Sequence, residues 1–272
     1  MHENSCSLSV LQVQIVVAAH KRYTMPGDEI YLPLHVGSEG KIGADGKPLD
    51  LGYKKDNTGE NISELNGSFC ELTGLYWAWK NLDADYIGLT HYRRLFEMDG
   101  RPLTYKQIKP YLGKIKLFTP RKRRYVIETL KSHYSHTHYM AHLETAKAVL
   151  VEKYPEYKGA YEKAICRTWG YMFNMMIMEQ ALLDEYCQWL FDILFETFKR
   201  IDCSRYSDFE KRYMGRISEI LFNAWLEQQL RTGRLKKEET MELKCSMEEN
   251  WGVKIPAFFK AKFFGKKYER SF

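Results

Sequence analysis

Residues Gln12 to Ala19, QVQIVVAA, carry β-branched Val13, Ile15, Val16 and Val17 and run on as a continuous apolar stretch from Ile15 to Ala19. A strand without polar alternation is covered on both faces, the situation inside an α/β sheet rather than at the wet surface of an antiparallel one. The run ends in His20, Lys21, Arg22 and Tyr23. Ligands of open α/β sheets sit beyond the carboxyl ends of the strands, so cations at this position are candidates for an anion site.

The pattern recurs twice. In DYIGLTHYRRLF, Asp85 to Phe96, a short apolar strand from Tyr86 to Leu89 runs into His91, Tyr92, Arg93 and Arg94. Ile115 to Thr119, IKLFT, is a further short strand, followed by Pro120 and the basic run Arg121, Lys122, Arg123, Arg124. Adjacent guanidiniums suit a diphosphate, because each planar fork can pair two phosphate oxygens and cannot lose its charge. The alternative is structural: one arginine pairs with a core carboxylate such as Glu71 and the other is solvated.

Between these strands the pattern alternates. Pro26 to Glu60 is rich in Gly, Asp, Asn and Pro and reads as a substrate-facing loop. Asn61 resembles an N-cap with Glu64 three residues on, and Ile62, Leu65, Phe69, Leu72, Tyr76 and Trp79 recur at helical spacing, which predicts one helix ending near Asn81. Gly67 and Gly74 within it would admit a close backbone neighbour, at a cost of about 1 kcal/mol each relative to alanine. Tyr125 to Lys131 begins another helical stretch. Trp169 to Met178, WGYMFNMMIM, reads as a buried strand whose one polar residue, Asn174, is either a satisfied core amide or a contact to a substrate hydroxyl. Glu179 to Ile201 is a long amphipathic helix with Leu182, Tyr186, Trp189, Ile193 and Ile201 inward, and Ile217, Ile220, Leu221, Ala224 and Trp225 mark another.

Composition excludes several classes. At 272 residues, 44% apolar and 28% charged, the chain is a globular protein with one main core. Its six cysteines are scattered singly, which supports neither a zinc ribbon nor a disulfide scaffold and fits a reducing cytoplasm. No run of about 18 apolar residues is present and the start lacks a signal-peptide pattern. Four histidines, His133, His136, His138 and His142, fall close together, but no cysteine or carboxylate completes a zinc set in the sequence nearby, and one or two of them are expected to line a sugar or phosphate pocket. The formal net charge of +6 is concentrated in Lys254 to Phe272, where six lysines and arginines face one acid, Glu269, and alternate with Phe258, Phe259, Phe263 and Phe264. This basic aromatic tail either contacts an anionic membrane surface or packs its rings on the domain, and nothing elsewhere points to nucleic acid.

The chain lacks GxGxxG after a strand, GxxxxGKS/T and GxSxG, so dinucleotide redox, P-loop and serine hydrolase chemistry have no specific support. Convergent cations, polar aromatics and a few carboxylates remain, the inventory a nucleotide-sugar transferase needs.

IGLTHYRR, the preceding ELTGLYWAWKN, WGYMFNMMIM with the following DEYCQWLFDILFE, and RYMGRISEILFNAWL together resemble the bacterial capsular and exopolysaccharide glycosyltransferases first catalogued as a domain of unknown function. The resemblance spans roughly residues 13 to 230. It implies a GT-A-type α/β fold, a mixed sheet flanked by helices with a helical C-terminal part, over residues 10–235, followed by an extension over 236–272. It also implies transfer of a sugar, best matched by galactofuranose from UDP-galactofuranose, onto a glycan or lipid-linked glycan acceptor in surface-polysaccharide or O-antigen synthesis. The alternatives are another UDP-hexose donor, or a non-catalytic scaffold docked on the inner face of the cell membrane.

Such enzymes commonly end the strand in Asp-x-Asp, which carries a divalent cation. Here Asp83-Ala84-Asp85 precedes the strand, so His20, Lys21, His91, Tyr92, Arg93, Arg94 and Arg123 are expected to hold the diphosphate with no obligatory Mn²⁺ or Mg²⁺ and no protein-bound metal. His136, His138, Asn174 and Arg216 are the expected sugar and acceptor contacts. The resemblance places the catalytic base at Glu219, near the start of a helix, with Asp56, Glu71 and Glu97 as rivals. A solvated glutamate favoured by the helix dipole is the alternative for Glu219.

Overall fold

The computed structural model describes residues 10–246. Eleven strands are formed in chain order: β1 Val13–Ala19, β2 Tyr31–His35, β3 Lys54–Lys55, β4 Tyr86–His91, β5 Phe96–Met98, β6 Arg101–Pro102, β7 Leu117–Pro120, β8 Arg123–Arg124, β9 Trp169–Gly170, β10 Met176–Glu179 and β11 Thr240–Cys245. The helices are α1 Asn66–Phe69, α2 Leu72–Asn81, α3 Tyr105–Ile108, α4 Leu130–Thr137, α5 Met140–Lys153, α6 Lys158–Ile165, α7 Gln180–Arg200 and α8 Tyr213–Thr232. Nine strands share one sheet in the order β3-β2-β1-β4-β10-β7-β11-β5-β6, and β8 pairs with β9 apart from it. The first four in that order are parallel, and β10 runs antiparallel between β4 and β7.

Strand β1 is buried on both sides, as its sequence predicts. Val16 and Ala18 join the core beneath the helices, while Val13, Ile15, Val17 and Ala19 join a second core with Tyr92, Phe96 and Ile108. Alternate residues therefore serve two cores, with Gln14, half-buried near the start of the strand, as its one polar side chain. Helices α7 and α8 lie where the periodicity puts them, with Tyr186, Trp189, Ile193, Ile217, Leu221 and Trp225 buried.

Five expectations are corrected. The loop from Pro26 to Glu60 contains β2, whose residues Tyr31 to His35 pair with Ile15 to Ala19. Pro33 disguises it. The hydrogen bonds Ile15 N–H to Ile30 O and Val36 N–H to Ala19 O make the even-numbered residues of β2 the donors toward β1, so the missing donor of Pro33 falls on the outer side, before β3 begins at Leu34 opposite Lys54.

The single helix from Asn61 is broken at Cys70, which takes φ 54° and separates α1 from α2. Asn61 accepts from Ser63 N–H at 3.1 Å in a local turn, but the cap of the first helical turn, Ser63 to Leu65, is Ile62, with no side-chain hydrogen bond. The break separates the two glycines: an added Cβ on Gly74 would meet Val36 Cγ1 at 2.9 Å, so α2 lies close on β2, whereas Gly67 borders open space.

Trp169 to Met178 is likewise two strands, parted by Phe173 and Asn174 at φ 76° and 51°. Tyr125 to Lys131 is mostly loop, and α4 starts only after Thr129, which accepts from Ser132 N–H at 3.1 Å. Finally, the expected boundary after residue 235 falls inside the fold, because β11 is inserted between β7 and β5 with Leu243 buried. The basic tail from Lys254 to Phe272 lies outside the described residues.

Candidate active site

From β1 the chain steps to β2 and β3 on one side and then returns to β4 on the other, so the space beyond the carboxyl ends of β1 and β4 is the switch point where open sheets bind ligands. The registers Ala18 opposite His91 and Ala19 opposite His35 bring three strand ends level, with His20, His35 and His91 around one mouth. A cleft of about 720 Å³ opens there, within the size range of small-molecule sites. Its cationic wall comes from Lys41, Arg93, Arg94, Arg212 and Arg216, against the acids Glu71, Asp208 and Glu219.

A tight turn aims the two arginines. Arg94 N–H donates to His91 O at 2.9 Å, Thr90 Oγ1 donates to Arg94 O, and Tyr92 N–H reaches Ala18 O at 3.2 Å. Arg93 is left exposed, while Arg94 is half-buried over the Phe173 ring at 4.5 Å. Tyr92 is buried and its hydroxyl lies 3.4 Å from His20 Nε2. Arg212 at the N-cap of α8 and Arg216 and Glu219 within it follow at spacings of four and three, which puts them on one side toward the cleft.

Two carboxylates are held by consecutive residues. Phe173 N–H donates to Glu219 at 2.7 Å, and the Asn174 amide donates to Glu71 at 2.6 Å and to Gly215 O at 2.8 Å. Ser218 Oγ donates to the Asn174 carbonyl at 2.7 Å, so this amide is a satisfied group that orients Glu71. Phe173 O is 2.7 Å from His91 Nε2, and since a carbonyl only accepts, that nitrogen carries a proton. Left-handed backbone in two successive non-glycine residues costs of order 1–3 kcal/mol each and persists where surrounding contacts fix it. Here three separate elements fix it.

Burial raises the Glu219 carboxyl to about 7, reinforced by the Glu71 charge and opposed by the Phe173 N–H and the guanidiniums of Arg123 and Arg94. Burial lowers the His91 imidazole, with Glu71 working against it, and burial together with Lys21, Arg212 and Arg93 lowers His20. The Cys70 thiol, on the same wall, is pushed by burial up to about 11, which leaves it protonated and a poor nucleophile.

The expected residues separate into groups. His20, His91, Tyr92, Arg93, Arg94, Arg216 and Glu219 line the cleft together. Arg123 and His138 line a smaller pocket of about 120 Å³ that shares Phe173, Arg216 and Glu219 with the cleft. Lys21 stands outside, its ammonium 5.6 Å from the Tyr92 ring. His136 is also outside, with Nδ1 2.5 Å from Glu128 Oε1, because this buried acid draws it and His133 together. Asn174 sits behind Glu71.

Among the rival bases, Asp56 is fully buried and accepts from Gly37 N–H at 2.7 Å, Ser38 N–H at 3.0 Å and Thr73 Oγ1 at 2.7 Å, so it ties loops together. Glu97 lies on β5 opposite Lys244, and Asp85 accepts from Gln12 N–H at 2.7 Å at the far end of β4. Among the described residues no three His, Cys, Asp or Glu side chains converge as a metal site. Sequence reading missed His35, hidden by Pro33, and Arg212, which the spacing to Arg216 and Glu219 could have revealed.

A doubly covered mixed sheet with a cation-rich cleft at its switch point defines an open α/β protein whose cleft lies where such sheets bind ligands. The chain belongs to the family described as a domain of unknown function, DUF4422, which matches residues 14–230. The chain is also similar to the apo structure of WbbM, a bifunctional glycosyltransferase, with 30% identity and a TM-score of 0.76 over 88% of this chain and 46% of that one. It therefore spans about half the length of WbbM and has the mixed, helix-flanked fold of a glycosyltransferase. No curated protein matches the sequence.

Proposed function

We propose that the protein is a glycosyltransferase that uses a UDP-sugar, with UDP-galactofuranose as donor and a glycan, free or lipid-linked, as acceptor. The observation that carries this reading is the presence of Glu71 and Glu219, held by Asn174 and Phe173, in one cleft with Arg93, Arg94, Arg212 and Arg216. The likeness to WbbM supports sugar transfer, and the motif resemblance supports the choice of galactofuranose.

In the proposed reaction Arg93 and Arg94 pair the diphosphate and take up the charge that develops as the bond from the anomeric carbon to phosphate oxygen breaks. The acceptor hydroxyl attacks the opposite side of that carbon and gives its proton to ionised Glu219. A carboxyl poised near neutrality is well matched to this proton transfer. Single displacement inverts the anomeric centre and gives a β-linked product from an α-linked donor. The Asp-x-Asp acids lie at the wrong end of β4 for a diphosphate-bound cation, so the leaving-group charge is assigned to the guanidiniums and no step is routed through a metal.

The test is incubation of the protein with a panel of UDP-hexoses and a surface-glycan acceptor, with UDP release and product mass as readouts. UDP-galactofuranose should turn over fastest and continue to do so in chelator. If none of the donors is consumed, or if chelator abolishes turnover and Mn²⁺ or Mg²⁺ restores it, the corresponding part of the mechanism is wrong.

A further inference from the structure

Beside the smaller pocket the chain makes a short protruding loop between β8 and α4. Both ends are pinned, Tyr125 N–H to Thr168 O at 2.7 Å and Leu130 N–H to Arg167 O at 2.8 Å, and Thr129 caps the helix that follows. At its tip Val126 and Ile127 are 93% and 63% exposed. A single exposed aliphatic residue is ordinary, but two adjacent ones held out by a fixed backbone need a reason.

Their surroundings supply one. Arg121 and Arg124 before the tip in the chain and Lys131 after it are exposed, while Lys122 pairs with Glu242 at 3.0 Å. The loop's one acid, Glu128, is turned inward, 3% exposed, against His133 and His136. The outer surface contributed by this loop is therefore apolar at the tip and cationic before and after it in the chain.

We infer that this loop inserts its tip into an anionic membrane surface, with Val126 and Ile127 among the acyl-chain ends of the headgroups and Arg121, Arg124 and Lys131 on lipid phosphates. Nucleic acid would take the cations but leave the two aliphatic residues in water. Because Arg123 and Tyr125 line the smaller pocket, insertion turns that pocket toward the bilayer, where an acceptor carried on a lipid would enter. The membrane contact stands on its own; the acceptor's lipid attachment rests on the proposed transferase reading.

The experiment is sedimentation of the full chain with vesicles of phosphatidylglycerol and phosphatidylcholine, beside vesicles of phosphatidylcholine alone. The wild type should bind the anionic vesicles and bind the neutral ones far less. The double variant V126D/I127D should lose at least tenfold in partitioning while keeping its thermal midpoint and its UDP-sugar turnover on a soluble acceptor. R121E/R124E should lose about fivefold or more, and high salt should reproduce that loss.

Equal binding by wild type and V126D/I127D, or no binding by the wild type, overturns the inference. So does self-association that V126D/I127D abolishes in the absence of vesicles, which would make the loop a protein contact. Loss of vesicle binding with turnover intact supports the membrane role, and an absence of turnover in every protein counts against the transferase reading alone.

Discussion

Glu219 is the residue on which the chemistry converges. Its carboxyl, raised to about 7 by burial and by Glu71, is largely protonated at pH 6, so turnover should rise with pH through an acid limb near 7. Glu219→Gln keeps an oxygen for the Phe173 N–H but cannot accept a proton, and should lower kcat by roughly 10²–10⁴-fold. The same shift acts on stability with a definite sign. Between about 4.5 and 7 the unfolded chain ionises this carboxyl before the folded one does, so Glu219 progressively destabilises the fold over that window and the penalty then stays constant. Glu219→Gln should therefore be more stable than wild type at pH 8, by roughly 1–3 kcal/mol in denaturant melts. Arg93, Arg94 and Glu219 were legible as candidates from a basic cluster at a strand's carboxyl end and an acid near a helix N-terminus, patterns that also have structural uses and that the cleft brings together. The turn at Phe173 and Asn174 was not, nor the part played by the Phe173 backbone, because the letters fit a strand and the left-handed backbone is held by Glu219, His91 and Glu71 from elsewhere in the chain.

At the scale of elements the break at Cys70 does most to shape the cleft. A continuous helix from Ile62 to Asn81 satisfies the apolar periodicity, and nothing in the sequence marks Cys70 for φ 54°. The turn brings Gly67, Cys70 and Glu71 to one wall, and Arg212 Nε donates to Cys70 Sγ at 3.3 Å. A β-branched side chain is strained at positive φ, so Cys70→Val should lower stability by about 1–3 kcal/mol and weaken donor binding, whereas Cys70→Gly should stay within about 1 kcal/mol of wild type. Denaturant midpoints of the two variants decide between backbone strain and loss of the sulfur contact, since loss of the contact predicts that both fall equally. Strands β1, β4 and β7 and helices α7 and α8 were readable from burial periodicity alone. Strand β2 was not, because proline in a strand reads as loop unless one knows which side of the sheet it faces.

Across the whole molecule, sequence order misleads about where the fold ends. Strand β11 follows α8 yet lies between β7 and β5, with Met241 opposite Phe118 and Lys244 opposite Glu97. A chain ending at residue 235 exposes the edges of both neighbours and opens the second core over Leu243. It should lose cooperative thermal unfolding and aggregate, while the full chain melts in one transition; equal melting of the two would show that β11 adds nothing to the fold.

In the proposed reading of the assembled molecule, the cations at the β1–β4 switch point hold the diphosphate of a nucleotide. Calorimetric titration of UDP into the wild type and into Arg93→Ala/Arg94→Ala, both in chelator, addresses it most directly. UDP should bind the wild type and bind the double variant at least tenfold more weakly, with both proteins equally folded. Equal affinity in the two proteins, or no UDP binding to the wild type, would contradict it.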